Sequence, residues 1–280
     1  MASTRRASPA AEIARRNDPE RFLAALTAPP AAREHLFAVL ALEFEVARTR
    51  SVVSEPMLGE MRLQWWLDAI EEVAAGRPGP AHEILPALAA AIAAGVDPAG
   101  LAGLVEARRR DLDDEPPADL AALRAYAAET GGAVSVAMAE ALGARGGAAT
   151  GAARSVGTAW ALVGMLRAVP HLAHANRTPL PADALGRAGL TRHDVAAPSR
   201  RDALRPIVTE IAAAAMAALD HARSLGPPRS ILPTLLPARL ARAHLRRLAR
   251  AGGDPFDPRF QAQDGWRALR VAWGSWTGRF

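Results

Sequence analysis

Residues 157–181 read Gly157-Thr-Ala-Trp-Ala-Leu-Val-Gly-Met-Leu-Arg-Ala-Val-Pro-His-Leu-Ala-His-Ala-Asn-Arg-Thr-Pro-Leu-Pro181, and the chain has no acidic residue between positions 141 and 182. We predict that most of this stretch is helical. At 100° per residue, one face of the helix carries Gly157, Ala161, Gly164, Ala168 and His171. The side chains on that face are small and neutral except for His171. The face therefore offers no carboxylate to a hard cation such as Mg²⁺, which prefers oxygen ligands.

Helix signals recur along the whole chain. Asp-Pro pairs at positions 18, 97 and 257 are typical helix starts, because the aspartate caps free amides and the proline fits the first turn. The predicted helices cover roughly 19–27, 31–50, 56–75, 82–94, 98–112, 118–143, 148–176, 181–188, 200–225, 230–251 and 259–278. No alternating β pattern, repeat or low-complexity linker occurs. We therefore predict one all-α domain over residues 18–280, preceded by a flexible tail over residues 1–17.

Composition excludes several function classes. All 34 basic residues among the 280 are arginine, so lysine-based Schiff-base chemistry is absent, and the lack of cysteine excludes disulfides and thiolate catalysis. The formal net charge is +5, but basic and acidic residues alternate over most of the chain. We therefore predict no nucleic-acid partner. No run approaches the roughly 18 apolar residues of a membrane span.

The stretch that ends at Pro181 resembles the second aspartate-rich helix of the squalene/phytoene synthase family. The family pattern is approximately Asn-x-x-Arg-Asp-x-x-x-Asp, then Gly-Arg-x-Tyr-Leu-Pro. Four residues keep it, namely Arg167, Arg177, Leu180 and Pro181. Gly164, Ala168 and Leu172 stand where the family has the asparagine and the two aspartates. The resemblance implies an isoprenoid-synthase-like helical bundle, with a central cavity, that has lost the Mg²⁺ ligands of its second wall.

The first wall is altered as well. Residues 37–48 are similar in position to the family's Tyr-Ala-Phe-x-Arg-x-x-Asp-Asp-x-x-Asp helix, and Phe44, Glu45 and Arg48 occupy its three aspartate positions. Glu43 and Glu45 are two residues apart, so their side chains point about 200° from one another on a helix and cannot bind one ion together. We expect Arg48, one turn beyond Glu45, to pair with a carboxylate.

Further stretches extend the resemblance to nearly the whole chain. Arg62-Leu-Gln-Trp-Trp66 matches the family's Arg-Leu-x-x-Trp helix, and the segment that begins at Tyr126 lies where the family has a tyrosine-bearing helix. The chain looks most similar to the subgroup that contains the mitochondrial assembly factor for respiratory complex I. By this resemblance, the candidate ligand-binding residues are Arg62, Gln64, Tyr126, Arg167, His171 and Arg177.

Two functions from different classes are compatible with these patterns. The first is a non-catalytic protein without a cofactor, which binds a membrane-protein assembly partner or an anionic lipid or isoprenoid phosphate held directly by arginine. The second is a prenyl-diphosphate transferase that binds Mg²⁺ through unusual ligands. The number of carboxylates favours the first. We expect the protein in the cytoplasm, or in the mitochondrial matrix of a eukaryote, with peripheral contact to the inner membrane.

Several features have two readings. Residues 239–250 form a basic amphipathic pattern, typical of a packing helix with a solvated arginine face, of a helix lying on an anionic membrane, or of one that covers an acidic partner. Another stripe is either core or a docking surface and comprises Trp266, Leu269, Trp273, Trp276 and Phe280. Trp65 and Trp66 are expected in the core. His171 and His174 are expected to be solvated or packed rather than metal ligands, and Gly157 and Gly164 to allow close helix approach.

Overall fold

The computed structural model describes residues 7–280, and within that range the chain is helical with no β-strand. The α-helices are α1 (Pro9–Asn17), α2 (Pro19–Ala25), α3 (Pro30–Ala47), α4 (Thr49–Val52), α5 (Pro56–Ala74), α6 (Leu85–Ala93), α7 (Pro98–Ala107), α8 (Leu120–Ala127), α9 (Ala133–Ala141), α10 (Gly147–His174), α11 (Ala182–Arg187), α12 (Arg201–Ser224), α13 (Leu232–Leu235), α14 (Pro237–Arg250), α15 (Pro258–Gln261) and α16 (Arg267–Thr277). A π-helical turn, Ala128–Gly132, joins α8 to α9. The predicted all-α fold is confirmed.

The three Asp-Pro pairs begin helices as predicted. The side chain of Asp18 accepts a hydrogen bond from the amide of Arg21 at 2.9 Å, which caps α2. Asp97 and Asp257 cap α7 and α15 in the same way. In each case the carboxylate satisfies an amide that has no partner inside the helix.

The structure corrects the expected tail over residues 1–17. Residues Pro9–Asn17 form α1, whose N-terminus is capped by Ser8, and the buried side chains of Ala10 and Ala14 pack α1 against α3. The sequence analysis missed this helix although Ser8-Pro9 is a cap-and-proline start like the three Asp-Pro pairs. Residues 1–6 lie outside the described residues.

Two hydrophobic clusters form most of the core. One is built mainly by α1, α3, α5, α6, α7 and α9, and the other by α10, α12 and α14. Helix α9 packs against both α3 and α10 and so joins the two clusters. Trp66 is buried in the first cluster, which confirms its expected core role, whereas Trp65 is half-buried and packs against that cluster.

Helix α10 approaches the π-helical turn unusually closely. A Cβ atom added to Gly131 would lie 2.6 Å from the carbonyl oxygen of Gly157, and one added to Gly157 would lie closer still to the carbonyl of Gly131. Only glycine fits such backbone contact, so the expected role of Gly157 is confirmed. A Cβ atom at Gly164 meets no atom within 4 Å, so the same expectation was wrong for Gly164.

The two amphipathic segments near the C-terminus differ in burial. In α14 the side chains of Leu240, His244 and Arg242 are all buried, and Arg242 pairs with Asp220 at 3.2 Å. α14 is therefore a packing helix whose apolar face is covered by the bundle, while Arg246 and Arg250 remain exposed. In the C-terminal stripe, Trp266, Leu269, Trp273 and Trp276 remain exposed, whereas Phe280 packs against the core. Among residues 7–280, no helix is both long and apolar enough to cross a bilayer.

Candidate functional site

Helix α2 contacts both regions that resemble the aspartate motifs, α3 and α10. Two consecutive residues of α2 point in different directions: Arg21 donates to Glu43 of α3, and Glu20 lies 3.6 Å from the guanidinium of Arg167 on α10. Asp18, the N-cap of α2, also pairs with Arg21. The side chains of α2 therefore engage charged groups on both motif helices.

On the side that faces α3, α2 takes part in a buried network of charged side chains. Besides Arg21, Glu43 has Arg108 as a partner, at 3.6 Å. Arg108 in turn contacts Asp111 at 3.2 Å and donates to the hydroxyl of Tyr126 at 2.8 Å. That hydroxyl donates to Asp111. The network thus links α2, α3, α8 and the Arg108–Leu112 turn through side chains whose charges compensate one another.

Burial and neighbouring charges act in opposite directions on the ionisation of this network. Burial would lower the pKa of the Arg21 guanidinium, but the carboxylates of Asp18 and Glu43 raise it above its usual value. Burial also raises the pKa of Tyr126, and Asp111 adds to that rise, while Arg108 opposes it. Both groups therefore keep their protons at neutral pH. The tyrosine acts as a hydrogen-bond donor here.

The first motif keeps one buried carboxylate, that of Glu45, and two arginines pair with it. Glu45 accepts from Arg62 at 2.7 Å and lies 3.3 Å from Arg48, as expected for an arginine one turn away. The guanidinium of Arg48 also lies 5.3 Å from the ring centroid of Phe44. Glu43 and Glu45 have separate partners, which confirms that they point in different directions. Glu45 lines a cleft of about 510 Å³ between α1, α3 and α5.

The second motif positions contribute no charge to the interior. Gly164 is exposed, and Ala168 and Leu172 are half-buried on α10. Arg167 faces Glu20, whereas Arg177 donates to the carbonyl of Asp111 at 2.8 Å and pairs with Asp114 at 3.1 Å. The two arginines therefore have different partners. His171 and His174 are exposed to solvent.

A buried pair that the sequence analysis missed lies on the α10 side of α2. His244 of α14 is fully buried, with its Nε2 3.1 Å and 3.2 Å from the two carboxylate oxygens of Glu20. Burial would raise the pKa of Glu20, but the hydrogen bond and charge of His244 and the charge of Arg167 lower it below its usual value. No local pattern could have revealed this pair, because 224 positions separate its members.

The remaining candidate ligand-binding residues lie in different parts of the structure. Tyr126 and Arg62 belong to the two ion networks, whereas Gln64 is on the surface and bonds Asp68 at 2.8 Å and Arg109 at 3.1 Å. The six candidates therefore do not converge on one site. In the described part of the chain, no group of three or more histidine, aspartate or glutamate side chains is arranged to hold a metal ion.

The sequence matches the family described as Squalene/phytoene synthase over residues 14–276. Relatives named "NADH dehydrogenase (ubiquinone) complex I, assembly factor 6" are 27% identical to it. The Mus musculus protein aligns over 96% of this chain and 81% of its own length. The Homo sapiens protein aligns over 95% and 80%. These matches bear out the predicted family and the resemblance to its assembly-factor subgroup.

Solved structures agree on the fold. A dehydrosqualene synthase in complex with ligand superposes with a TM-score of 0.82 at 16% identity, covering 96% of this chain and 94% of that one. Squalene synthase HpnC from Alicyclobacillus acidocaldarius superposes with a TM-score of 0.77 at 20% identity, covering 88% and 94%. At such low identity the likeness concerns the fold alone.

Proposed function

The chain belongs to the squalene/phytoene synthase family, and within it we propose a non-catalytic role, as an assembly factor for a membrane-bound respiratory complex. The observation that carries this proposal is the state of the carboxylates on the first motif helix. Glu43 is paired with Arg21 and Arg108, and Glu45 with Arg48 and Arg62. The second motif helix offers no carboxylate at positions 164, 168 or 172.

Coordination chemistry explains why this pairing argues against a diphosphate-ionising site. Mg²⁺ requires oxygen ligands at about 2.0–2.1 Å in near-octahedral geometry. To bind it, Glu45 would have to give up its contacts with Arg62 and Arg48, and the two guanidinium groups beside it would repel the cation. Side chains of α2 also engage both motif helices, through Arg21 and Glu20. We therefore expect no Mg²⁺ requirement.

The relatives support the assembly part of the proposal. Their printed name is that of a complex I assembly factor, and the similarity extends over nearly the whole of this chain. A helical scaffold whose interior is held by internal ion pairs can present a surface to a folding subunit without turning over a substrate. On this proposal the partner is a membrane protein. The protein then works in the cytoplasm, or in the matrix of a eukaryote, beside the inner membrane.

A second candidate is a prenyl-diphosphate transferase with unusual ligands. The observation in its favour is the cleft of about 510 Å³ beside α3, which Glu45 lines together with Arg48 and Arg62. The same cleft could hold an anionic lipid or isoprenoid phosphate by arginine contact alone, without a metal. Its lining includes Glu12 and Glu83 as well, so the positive charge there is largely balanced.

The decisive experiment measures both functions in parallel. Purified protein is incubated with farnesyl or geranylgeranyl diphosphate and Mg²⁺, and pyrophosphate release is followed beside an active squalene synthase. In the source organism, a strain lacking the gene is examined for assembled NADH dehydrogenase on native gels. It is complemented with the wild-type gene or with the Glu45→Ala variant.

We expect no pyrophosphate release and a loss of the assembled complex that both genes restore. Steady Mg²⁺-dependent turnover that disappears in Glu45→Ala would establish the transferase instead. Normal assembly of the complex in the deletion strain contradicts the assembly role. Binding of a prenyl phosphate that survives a chelator and weakens in Arg62→Ala would identify the cleft as a metal-free ligand site.

A further inference from the structure

One face of α16 exposes an unusual concentration of large apolar side chains. Trp266, Leu269, Trp273 and Trp276 follow one another at helical spacing, and their exposed fractions lie between 56% and 77%. The rings of Trp273 and Trp276 meet edge to face, with centroids 5.2 Å apart. Together these four side chains line a groove of about 610 Å³, whose other walls include Arg239 and Arg270. We call this surface the indole face.

The opposite side of α16 packs closely against the bundle. Val271 is buried against Leu236 and Leu240, and a Cβ atom on Gly274 would lie 2.7 Å from the side chains of both Leu236 and Arg239. Arg229 and Arg239 donate to the carbonyls of Thr277 and Arg279 just beyond. These contacts stabilise the negative end of the helix dipole. The indole face is therefore presented by a fixed helix, and its exposure does not result from fraying.

The charge is distributed unevenly along the chain, with the excess of arginine in the C-terminal segment that contains this face. Residues 223–280 contain eleven arginines and three aspartates, a formal charge of +8, whereas residues 1–222 contain 23 arginines and 26 acidic residues, a formal charge of −3. No acidic residue occurs from Gly265 to Phe280. Asp264, which precedes α16, is buried and paired with Arg247 and Arg270. Burial lowers the pKa of Arg239, and the nearby charges of Arg270 and Arg246 lower it further.

We propose that the indole face docks onto an anionic phospholipid bilayer, with its indoles at the level of the lipid headgroups and the surrounding arginines against lipid phosphates. Tryptophan favours this interfacial depth because its ring is apolar while its N–H still needs a polar partner. Arginine is suited to phosphate because its planar fork forms paired hydrogen bonds. Docking is independent of the assembly role, since binding to a lipid vesicle needs no partner protein.

The shape and charge of the indole face favour a bilayer over a folded protein partner. Tryptophan and arginine are also common at protein interfaces, but a folded partner would have to match the shape of the shallow groove and supply acidic residues for the surrounding arginines. The fluid headgroup layer can fill such a groove without matching its shape, and its phosphates complement the formal charge of the 223–280 segment. A second copy of this chain would bring like charge against like charge.

Vesicle co-sedimentation tests the proposal. The full chain is mixed with vesicles of phosphatidylcholine alone, or of equal parts phosphatidylcholine and phosphatidylglycerol, at low and high salt. Trp273→Ala/Trp276→Ala removes the centre of the indole face, and Arg246→Glu/Arg267→Glu reverses two charges of the basic 223–280 segment. The matched control is Met57→Ala/Met61→Ala, which truncates similarly exposed apolar side chains on α5. Thermal unfolding followed by circular dichroism verifies that each variant is folded.

We expect strong recruitment to the anionic vesicles alone, reduced by high salt because exposed charges are screened within about 8 Å at physiological ionic strength. Partitioning should fall at least about ten-fold in each of the two altered-face variants and remain unchanged in the methionine control. Equal recruitment to neutral vesicles, or no loss in either variant, overturns the proposal. A vesicle-independent dimer that the tryptophan variant abolishes would identify the indole face as a protein interface and overturn it too.

Discussion

Helices α3 and α10 carry the two segments that resemble the aspartate motifs of the family, and the two segments depart from those motifs in different ways. Helix α3 keeps Glu43 and Glu45, but arginines neutralise both. Helix α10 has small or apolar residues where the ligands would stand and keeps only arginine. Helix α3 thus has carboxylates that are paired with arginines, whereas α10 has no carboxylate and approaches its neighbour by backbone contact at Gly157. We infer that stability depends on electrostatics at α3 and on backbone packing at α10.

The largest expected effect comes from unpairing the α3 network. Glu43→Gln removes the charge between Arg21 and Arg108, whose side chains are both at least 87% buried. We expect the free energy of unfolding to fall by about 3 kcal/mol, because two buried guanidinium groups lose part of their compensation. Urea unfolding monitored by circular dichroism measures the change.

The matched control for Glu43 is an exposed ion pair. Glu129 lies 3.0 Å from Arg110, and both side chains are largely solvated. Glu129→Gln should therefore change the stability by less than about 1 kcal/mol. Equal losses in the two variants would contradict the idea that burial makes the α3 network important.

The next effect tests backbone packing at α10. In Gly157→Ala the new methyl group would collide with the carbonyl of Gly131, so we expect a loss of about 1–3 kcal/mol. Gly164→Ala, on the same helix, places its methyl group in open space and should stabilise the protein by about 0.5–1 kcal/mol through helix propensity. The two changes should have opposite signs in thermal unfolding. A change of the same sign in both variants would contradict the inference that α10 is closely packed at Gly157 and not at Gly164.

A smaller effect concerns pH and the α2–α10 contact. The pKa of Glu20 is lowered in the folded state, against the raising effect of burial and of Asp264, by His244 and Arg167. The unfolded state therefore binds more protons around and just below the usual carboxyl pKa of about 4.3, so stability rises with pH there and is lost as the pH falls. In Glu20→Gln this slope should become shallower. Chemical unfolding at a series of acidic pH values measures it, and an unchanged slope would exclude Glu20 as a contributor.

The smallest effect is expected from restoring the missing aspartates. Ala168→Asp/Leu172→Asp returns two carboxylates to α10, but Glu45 stays with Arg48 and Arg62, and Glu20 and Arg21 still engage both walls. We expect no Mg²⁺-dependent pyrophosphate release above that of the wild type. Turnover in this variant would show that the arginine pairs of Glu45 do not prevent metal binding, and it would contradict the expectation for α3.

Local sequence was enough to predict the all-α class, most of the helices and the family. Asp18-Pro19, Asp97-Pro98 and Asp257-Pro258 begin helices because capping involves residues at most three positions apart. The pairing of Arg48 with Glu45 was equally predictable, since residues one turn apart share a helix face. The absence of aspartate at positions 168 and 172 is visible in the sequence itself.

Tertiary structure alone determined which of these side chains meet and which faces are covered. The basic pattern of α14 and the indole stripe of α16 are both amphipathic, yet the bundle buries the first and exposes the second. The Glu20–His244 pair and the Glu43–Arg108 pair join residues 224 and 65 positions apart. Periodicity specifies which side of a helix is apolar, but long-range packing determines what covers it.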